Sequence, residues 1–362
     1  MNDETYIQLT LEIAKRGSGY VSPNPMVGCV ITKNNKIIGA GYHQKYGENH
    51  AEVNAINSAV ESLEGSTLYV NLEPCSHYGH TPPCVDKIIE SKIKRVVIGT
   101  LDVNPLVSGN GVRKLKKAGI DVKVGVLEKE CTELNKFFFK YITKKIPYVT
   151  LKIAQTLDGK IADQSNYSQW ITSSDSRKFV HSLRAQYDAV LIGRRTAEID
   201  NPLLTVRLTE GRNPWRVVLD TELKLKTDLR LFKQNADGKT ILVTSKASIS
   251  KQNKIKKLSE LGVRIIFVKQ NGSGKLNLRS LLKVLSTMEI TSVLVEGGSE
   301  IFSSFIKQNL FDDIFLFISP KLLGAGISAF NSLNIDSLKR AYKLRIKHSE
   351  IIGEDILLEL TK

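Results

Sequence analysis

Apolar runs with the two-residue repeat of strands and the three-to-four-residue repeat of helices take turns along this chain. The pattern predicts an opening helix over 6–15, strands at 27–32 and 37–41, a helix from about His50, and a strand at 67–71. A helix from Cys84, strands at 95–99 and 122–127, and a helix over 130–141 follow. Such alternation implies a sheet covered by helices on both faces. Lys144-Lys145-Ile146-Pro147 has the charge and proline of a linker. From Tyr148 the pattern restarts, with strands at 149–153, 189–192, 216–219, 240–244 and 263–268 and helices over 175–185 and 278–285. The stretch from Asp200 reads as a turn entering a strand that ends at Arg207. Ser292-Val293-Leu294-Val295 is an apolar strand that breaks at Glu296-Gly297-Gly298 into an amphipathic helix carrying Ile301, Phe302, Phe305 and Ile306. The expected organisation is two α/β domains, 1–145 and 146–362.

Length agrees with that division, because 362 residues exceed what one hydrophobic core usually supports. No apolar run is long enough to span a membrane, and Met1-Asn2-Asp3-Glu4 is acidic where a secretory signal would be basic and then apolar. A cytoplasmic protein without a membrane partner is expected. Four cysteines fit a reducing compartment better than a disulfide framework. The formal charge of +15 raises the question of nucleic acid. The lysines, however, are spread over the chain with no basic tail or aromatic-interleaved block, so solvated lysine faces and attraction for a phosphorylated small molecule are the reading, and no nucleic-acid partner is expected.

The densest chemistry lies in His50-Ala51-Glu52, Pro74-Cys75 and Cys84. One imidazole and two thiolates can hold zinc and leave a fourth position for water, whose pKa falls from about 15.7 to about 7. Glu52 is then free for proton work. H-x-E followed by Pro-Cys and a second cysteine is the signature of zinc nucleobase deaminases, whose short form separates the cysteines by two residues. Here eight intervene, 76–83. Pro82-Pro83 nevertheless marks a helix start at Cys84, and the positive end of a helix favours thiolate there. Cys29, in an apolar strand, and Cys131, before Phe137-Phe138-Phe139, read as core thiols. His43, His77 and His80 keep a structural four-ligand zinc site in view as an alternative.

The second half carries polar clusters that packing alone does not demand: Ser168-Gln169-Trp170-Ile171-Thr172, Leu183-Arg184, and Asp200-Asn201-Pro202 running on to Arg207. Arginine forks suit phosphate, and a glycine turn opening a helix presents free backbone N–H groups. No G-x-G-x-x-G follows a strand, which disfavours a Rossmann domain.

Together these residues resemble the bifunctional deaminase–reductase family of riboflavin biosynthesis over nearly the whole chain. The N-terminal markers are Pro23-Asn24-Pro25-Met26-Val27-Gly28, Gly41-Tyr42-His43, His50-Ala51-Glu52, Glu73-Pro74-Cys75-Ser76-His77 and Thr81-Pro82-Pro83-Cys84. The long gap between the cysteines is a feature of this family. In the second half the markers are 152–160, Trp170-Ile171-Thr172, Leu183-Arg184, Asp200-Asn201-Pro202, Leu204-Thr205-Val206-Arg207 and Glu296-Gly297-Gly298. Asp102-Val103-Asn104-Pro105 departs from the family, which commonly has proline directly after the aspartate.

The resemblance implies a cytidine-deaminase-like αβα domain followed by a dihydrofolate-reductase-like α/β domain. It implies zinc on His50, Cys75 and Cys84, Glu52 as the catalytic acid and base, and NADPH as the second cofactor. The implied substrate is a phosphorylated diaminopyrimidinone, deaminated and then reduced in its ribosyl group. Asn24 would orient the base. Ala154, Trp170, Thr196, Asp200 and the turn Gly298, Ser299, Glu300, Ile301, Phe302, Ser303 and Ser304 would line the NADPH side, with Arg194 and Arg195 as candidates for its extra phosphate. Lys152, Ser168, Arg184, Leu204, Arg207 and Glu296 would face the substrate. A homo-oligomer through the second half is also implied. A nucleic-acid base deaminase with an accessory domain, and a zinc-stabilised binding protein, are the alternatives.

Overall fold

The computed structural model describes residues 2–78, 82–104 and 107–362 and divides into two units, 1–145 and 146–362. In the first, the helices are α1 (Asp3–Ala14), α2 (Ala51–Asn57), α3 (Cys84–Glu90), α4 (Asn110–Lys117), α5 (Glu128–Leu134) and α6 (Lys136–Lys144). The strands are β1 (Gly28–Lys33), β2 (Lys36–Tyr42), β3 (Thr67–Leu72), β4 (Arg95–Thr100) and β5 (Asp121–Val124), in sheet order β2-β1-β3-β4-β5. β3, β4 and β5 are parallel, and β1 runs antiparallel to both its neighbours.

Alternation along the strands explains the two layers. Cys29, Ile31, Leu68, Val70, Val96 and Ile98 pack on one face with Ala51, Ala55, Val85, Ile88 and Leu115, which come from α2, α3 and α4. Val30, Tyr69 and Val97 point to the other face and meet Ile7 and Leu11 of α1 and Cys131 of α5. Both core thiols are thus where the apolar pattern puts them, fully buried. α2 lies hard against β2, because a Cβ at Gly39 or Gly41 would come within 2.5 Å of the Ala55 backbone. That close approach fixes the helix whose first turn carries Glu52.

Two expectations in this unit change. The helix expected over 130–141 is two helices, broken at Asn135, whose carboxamide accepts from the Met26 N–H at 2.8 Å and donates to its carbonyl at 2.9 Å. The strand expected over 122–127 ends at Val124, since Gly125 and Leu127 take φ of 89° and 53°.

The second unit holds β6 (Tyr148–Thr156), β7 (Lys160–Ala162), α7 (Ser174–Gln186), β8 (Ala189–Gly193), α8 (Arg194–Asp200), β9 (Trp215–Leu219), α9 (Arg230–Lys233) and β10 (Thr240–Ser245). It continues with α10 (Gln252–Glu260), β11 (Arg264–Val268), α11 (Leu278–Thr287), β12 (Ser292–Val295), α12 (Ser299–Lys307), β13 (Asp313–Ser319), β14 (Ile327–Ser328), β15 (Arg345–Ile352) and β16 (Asp355–Thr361). Nine strands form one sheet in the order β11-β10-β9-β8-β12-β6-β13-β16-β15. It is parallel from β11 to β13, and β16 and β15 complete it antiparallel. Its near-continuous apolar strands, such as Ala189–Gly193 and Ser292–Val295, are buried throughout, as parallel strands covered on both faces must be. The strand expected before Arg207 is absent. Asn201 and Leu204 take φ of 39° and 55°, a left-handed conformation that no extended run tolerates.

Candidate active sites

In the first unit the polar residues gather past the C-terminal end of β3 and at the starts of α2 and α3. His50 is the N-cap of α2, and its Nδ1 lies 3.5 Å from Cys75 Sγ and 3.3 Å from Cys84 Sγ. Pro83 is the N-cap of α3, so Cys84 is that helix's first residue, and its N–H donates to Cys75 Sγ at 3.3 Å. The three ligand atoms lie within 4.8 Å of one another. Zinc with bonds of about 2.3 Å to sulfur and about 2.0 Å to nitrogen in tetrahedral geometry separates N from S by roughly 3.5 Å. The donor set therefore fits zinc in both chemistry and spacing.

Burial and neighbours set the proton positions. The pKa of Cys75 is lowered by its neighbours, the Cys84 thiol first, with His50 and the Cys84 N–H adding to the effect. The pKa of Cys84 is shifted upward by the neighbouring Cys75, by its burial and by the nearby Glu52. Glu52 is only 3% exposed, and burial raises its pKa to about 6 against the pull of His50.

His43 is not in the ligand cluster found among the described residues. Its Nδ1 donates to the Asn49 carbonyl at 3.0 Å, which leaves Nε2 to accept from Asn24 Nδ2 at 3.1 Å. Burial lowers its pKa, consistent with that neutral tautomer. Its ring meets His50 edge to face at 5.3 Å, bringing Asn24 to the site with the carboxamide orientation set. Among the described residues His77 is not in the ligand cluster, and its buried Nδ1 has no hydrogen-bond partner there. His80 and Thr81 lie outside the described residues. Sequence reading missed Glu73, whose buried carboxylate accepts from the N–H groups of Asp102, Gly109 and Val112 at 3.2, 2.9 and 3.1 Å. It ties down the loop where the sequence departs from the family; Pro105 in that loop is not among the described residues.

The second unit opens a cavity of about 1250 Å³ at the C-terminal ends of β6, β8 and β9 and the turn after β12. Single small ligands take about 300–1,000 Å³, so there is room here for a cofactor and a substrate together. Lys152, Ala154, Ser168, Trp170, Arg184, Thr196, Asp200, Leu204, Arg207 and Glu296 all line it. So do Gly298, Ser299, Glu300, Ile301, Phe302 and Ser304, but Ser303 is not in the lining and is buried. A run of seven residues entering a helix cannot turn every side chain to one side.

Within the cavity Arg184 grips Glu296 with two parallel bonds, Nε to Oε1 at 2.7 Å and Nη2 to Oε2 at 2.8 Å. Burial pushes the Glu296 carboxyl up, but Arg184 and Lys152 overcome it and hold it at about 2. Burial lowers the pKa of Lys152, and Glu296 partly restores it. Ser168 Oγ donates to Asp200 Oδ1 at 3.3 Å, and Asp200 is shifted upward by burial. The exposed Trp170 ring stacks over the Arg177 guanidinium at 4.6 Å, another neighbour that sequence spacing did not reveal. Arg194 pairs with Glu198, whereas among the described residues Arg195 bonds only the Asn166 carboxamide. Removing the charge in Arg184→Met strands Glu296 in the interior. It is expected to destabilise the second unit by about 3–5 kcal/mol, read as an early denaturant transition in a probe of that unit; an unshifted midpoint contradicts the pairing.

An αβα zinc deaminase followed by a dihydrofolate-reductase-like NADPH-dependent reductase is the class that these folds and sites define. The family model for the cytidine and deoxycytidylate deaminase zinc-binding region matches residues 1–100, and that for the RibD C-terminal domain matches 147–358. The chain is 48% identical to the riboflavin biosynthesis protein RibD of Aquifex aeolicus, over 98% of this chain and 97% of that one. To the RibD of Escherichia coli K12 it is 38% identical, over 99% of each. The crystal structure of a diaminohydroxyphosphoribosylaminopyrimidine deaminase/5-amino-6-(5-phosphoribosylamino)uracil reductase from Thermotoga maritima superposes with a TM-score of 0.88 at 44% identity, covering 99% of this chain and 98% of that one. The chain belongs to the RibD family of bifunctional riboflavin-biosynthesis enzymes.

Proposed function

We propose that the first unit deaminates 2,5-diamino-6-(5-phosphoribosylamino)pyrimidin-4(3H)-one and that the second reduces the ribosyl group of the resulting 5-amino-6-(5-phosphoribosylamino)uracil to ribityl. The observation that carries this reading is His50 Nδ1 facing both sulfurs at 3.5 and 3.3 Å with the buried Glu52 alongside. His50, Cys75 and Cys84 would hold zinc, which when bound would lower the pKa of a water at its open position to about 7 and make hydroxide available at neutral pH. Glu52 would accept a proton from the attacking water and return it to the departing amine, one carboxyl serving first as base and then as acid. A carboxyl poised near 6 gains and loses a proton readily at neutral pH. Asn24, oriented by His43, offers its free amide oxygen to the pyrimidine.

When bound in the second unit, NADPH would supply the hydride for the first carbon of the sugar. Ala154, Trp170, Thr196, Asp200 and the start of α12 hold the cofactor, and Lys152, Ser168, Leu204, Arg207 and Glu296 hold the substrate. Arg184 serves this surface by keeping Glu296 charged and in place. Incubation with the diaminopyrimidinone phosphate tests the whole reading. Ammonia should appear without NADPH, and NADPH oxidation should begin only when cofactor is added; NADPH oxidation with no prior ammonia release contradicts the order.

A homo-oligomer through the second unit fits β15, an edge strand that exposes Ile346 and Ile351 at 60% and 76%. Exposed apolar edges are pairing surfaces. Ile351→Lys is expected to shift sedimentation toward the monomer, and an unchanged assembly contradicts this interface. A cytosolic setting agrees with four free cysteines, two of them proposed ligands.

A further inference from the structure

We infer that Arg230 is a second phosphate-binding residue of the reductase site and that, with Arg207, it grips the phosphate of the ribosylaminouracil substrate. This rests on the reading above and extends it to a residue that no sequence motif marks.

Arg207 and Arg230 line the same cavity. The Arg230 N–H donates to Asn201 Oδ1 at 2.8 Å, so its segment is tied to the loop that carries Leu204 and Arg207. Arg207 Nη1 bonds only Thr205, its hydroxyl at 2.6 Å and its carbonyl at 3.5 Å. Among the described residues neither arginine has a carboxylate partner. Elsewhere on the cavity wall Arg184 pairs with Glu296, Arg194 with Glu198, Lys275 with Glu300, and Glu222 with Lys224, while Lys152, Arg177 and Arg195 also lack a carboxylate partner among the described residues.

Two unmatched guanidiniums facing one cavity repel each other, and the protein registers it. Burial and then the Arg184 and Arg230 cations lower the pKa of Arg207. His181, whose Nδ1 accepts from the Arg207 N–H at 2.9 Å, is held at about 4 by burial and then by Arg184 and Arg207. A phosphate monoester brings a charge near −2 and three acceptor oxygens, which relieves that repulsion and suits two arginine forks. Arg195 stands apart from this group, bonded to Asn166, and is left for the cofactor.

The test uses the full-length enzyme with saturating NADPH and compares 5-amino-6-(5-phosphoribosylamino)uracil with its dephosphorylated form. Arg230→Gln should cut kcat/KM for the phosphorylated substrate by about ten- to a hundredfold, mostly through KM. Turnover of the dephosphorylated form and the KM for NADPH should hold. Inorganic phosphate should inhibit the variant less than the parent, and Arg230→Lys should recover part of the loss. An equal fall on both substrates, or a rise confined to the NADPH KM, overturns the assignment. A parent enzyme that does not distinguish the two substrates sinks instead the underlying reading of a phosphate site at Arg207.

Discussion

Glu52→Gln is expected to abolish ammonia release, by about 10²–10⁴-fold or more, while zinc stays bound in full. The substitution keeps shape and burial but removes the buried carboxyl beside the ligand trio that can accept a proton and give it back. The cavity of the second unit is built from other residues, so NADPH oxidation on added 5-amino-6-(5-phosphoribosylamino)uracil should continue at the parental rate. Measuring both activities on one preparation decides the matter. A variant that still releases ammonia at the parental rate removes Glu52 from the chemistry.

Replacement of Cys84 by alanine should be nearly as severe, through the metal. Cys84 is fully buried at the first turn of α3, and no other described side chain is placed to take over its position in the ligand cluster. Metal content should fall well below one ion per chain and deamination should vanish, with reductase activity again retained. Because metal binding free energy is also folding free energy, unfolding of the first unit should move to lower temperature. Undiminished zinc in Cys84→Ala would mean that the ligands are elsewhere.

The first site was the more legible because metal ligation restricts residue type at fixed positions. His50, Cys75 and Cys84 stand out in a sequence, and the helix starts that bring them together carry their own signals in Pro82-Pro83 and in the apolar face of α2. The second site depends on pairings between distant segments. Nothing local tells that Arg184 is already committed to Glu296, 112 residues away, or that Asn201 holds the backbone of Arg230. A continuous run such as Gly298 to Ser304 overstates a helical surface, which is why Ser303 falls outside the lining. The left-handed residues at 201 and 204 defeated the strand pattern before Arg207. Strand β15 was illegible for a different reason: it is exposed along almost its whole length and shows no apolar alternation.

The central claim is a zinc ion on one nitrogen and two sulfurs in the first unit, with one position left for water. X-ray absorption at the zinc edge of the purified full-length enzyme tests it most directly. Stoichiometric zinc with two sulfurs at about 2.3 Å and two lighter ligands at about 2.0 Å, one of them lost in His50→Ala and the other exchangeable, is the predicted result. A site closed by four protein ligands, or active enzyme without stoichiometric metal, would contradict the account.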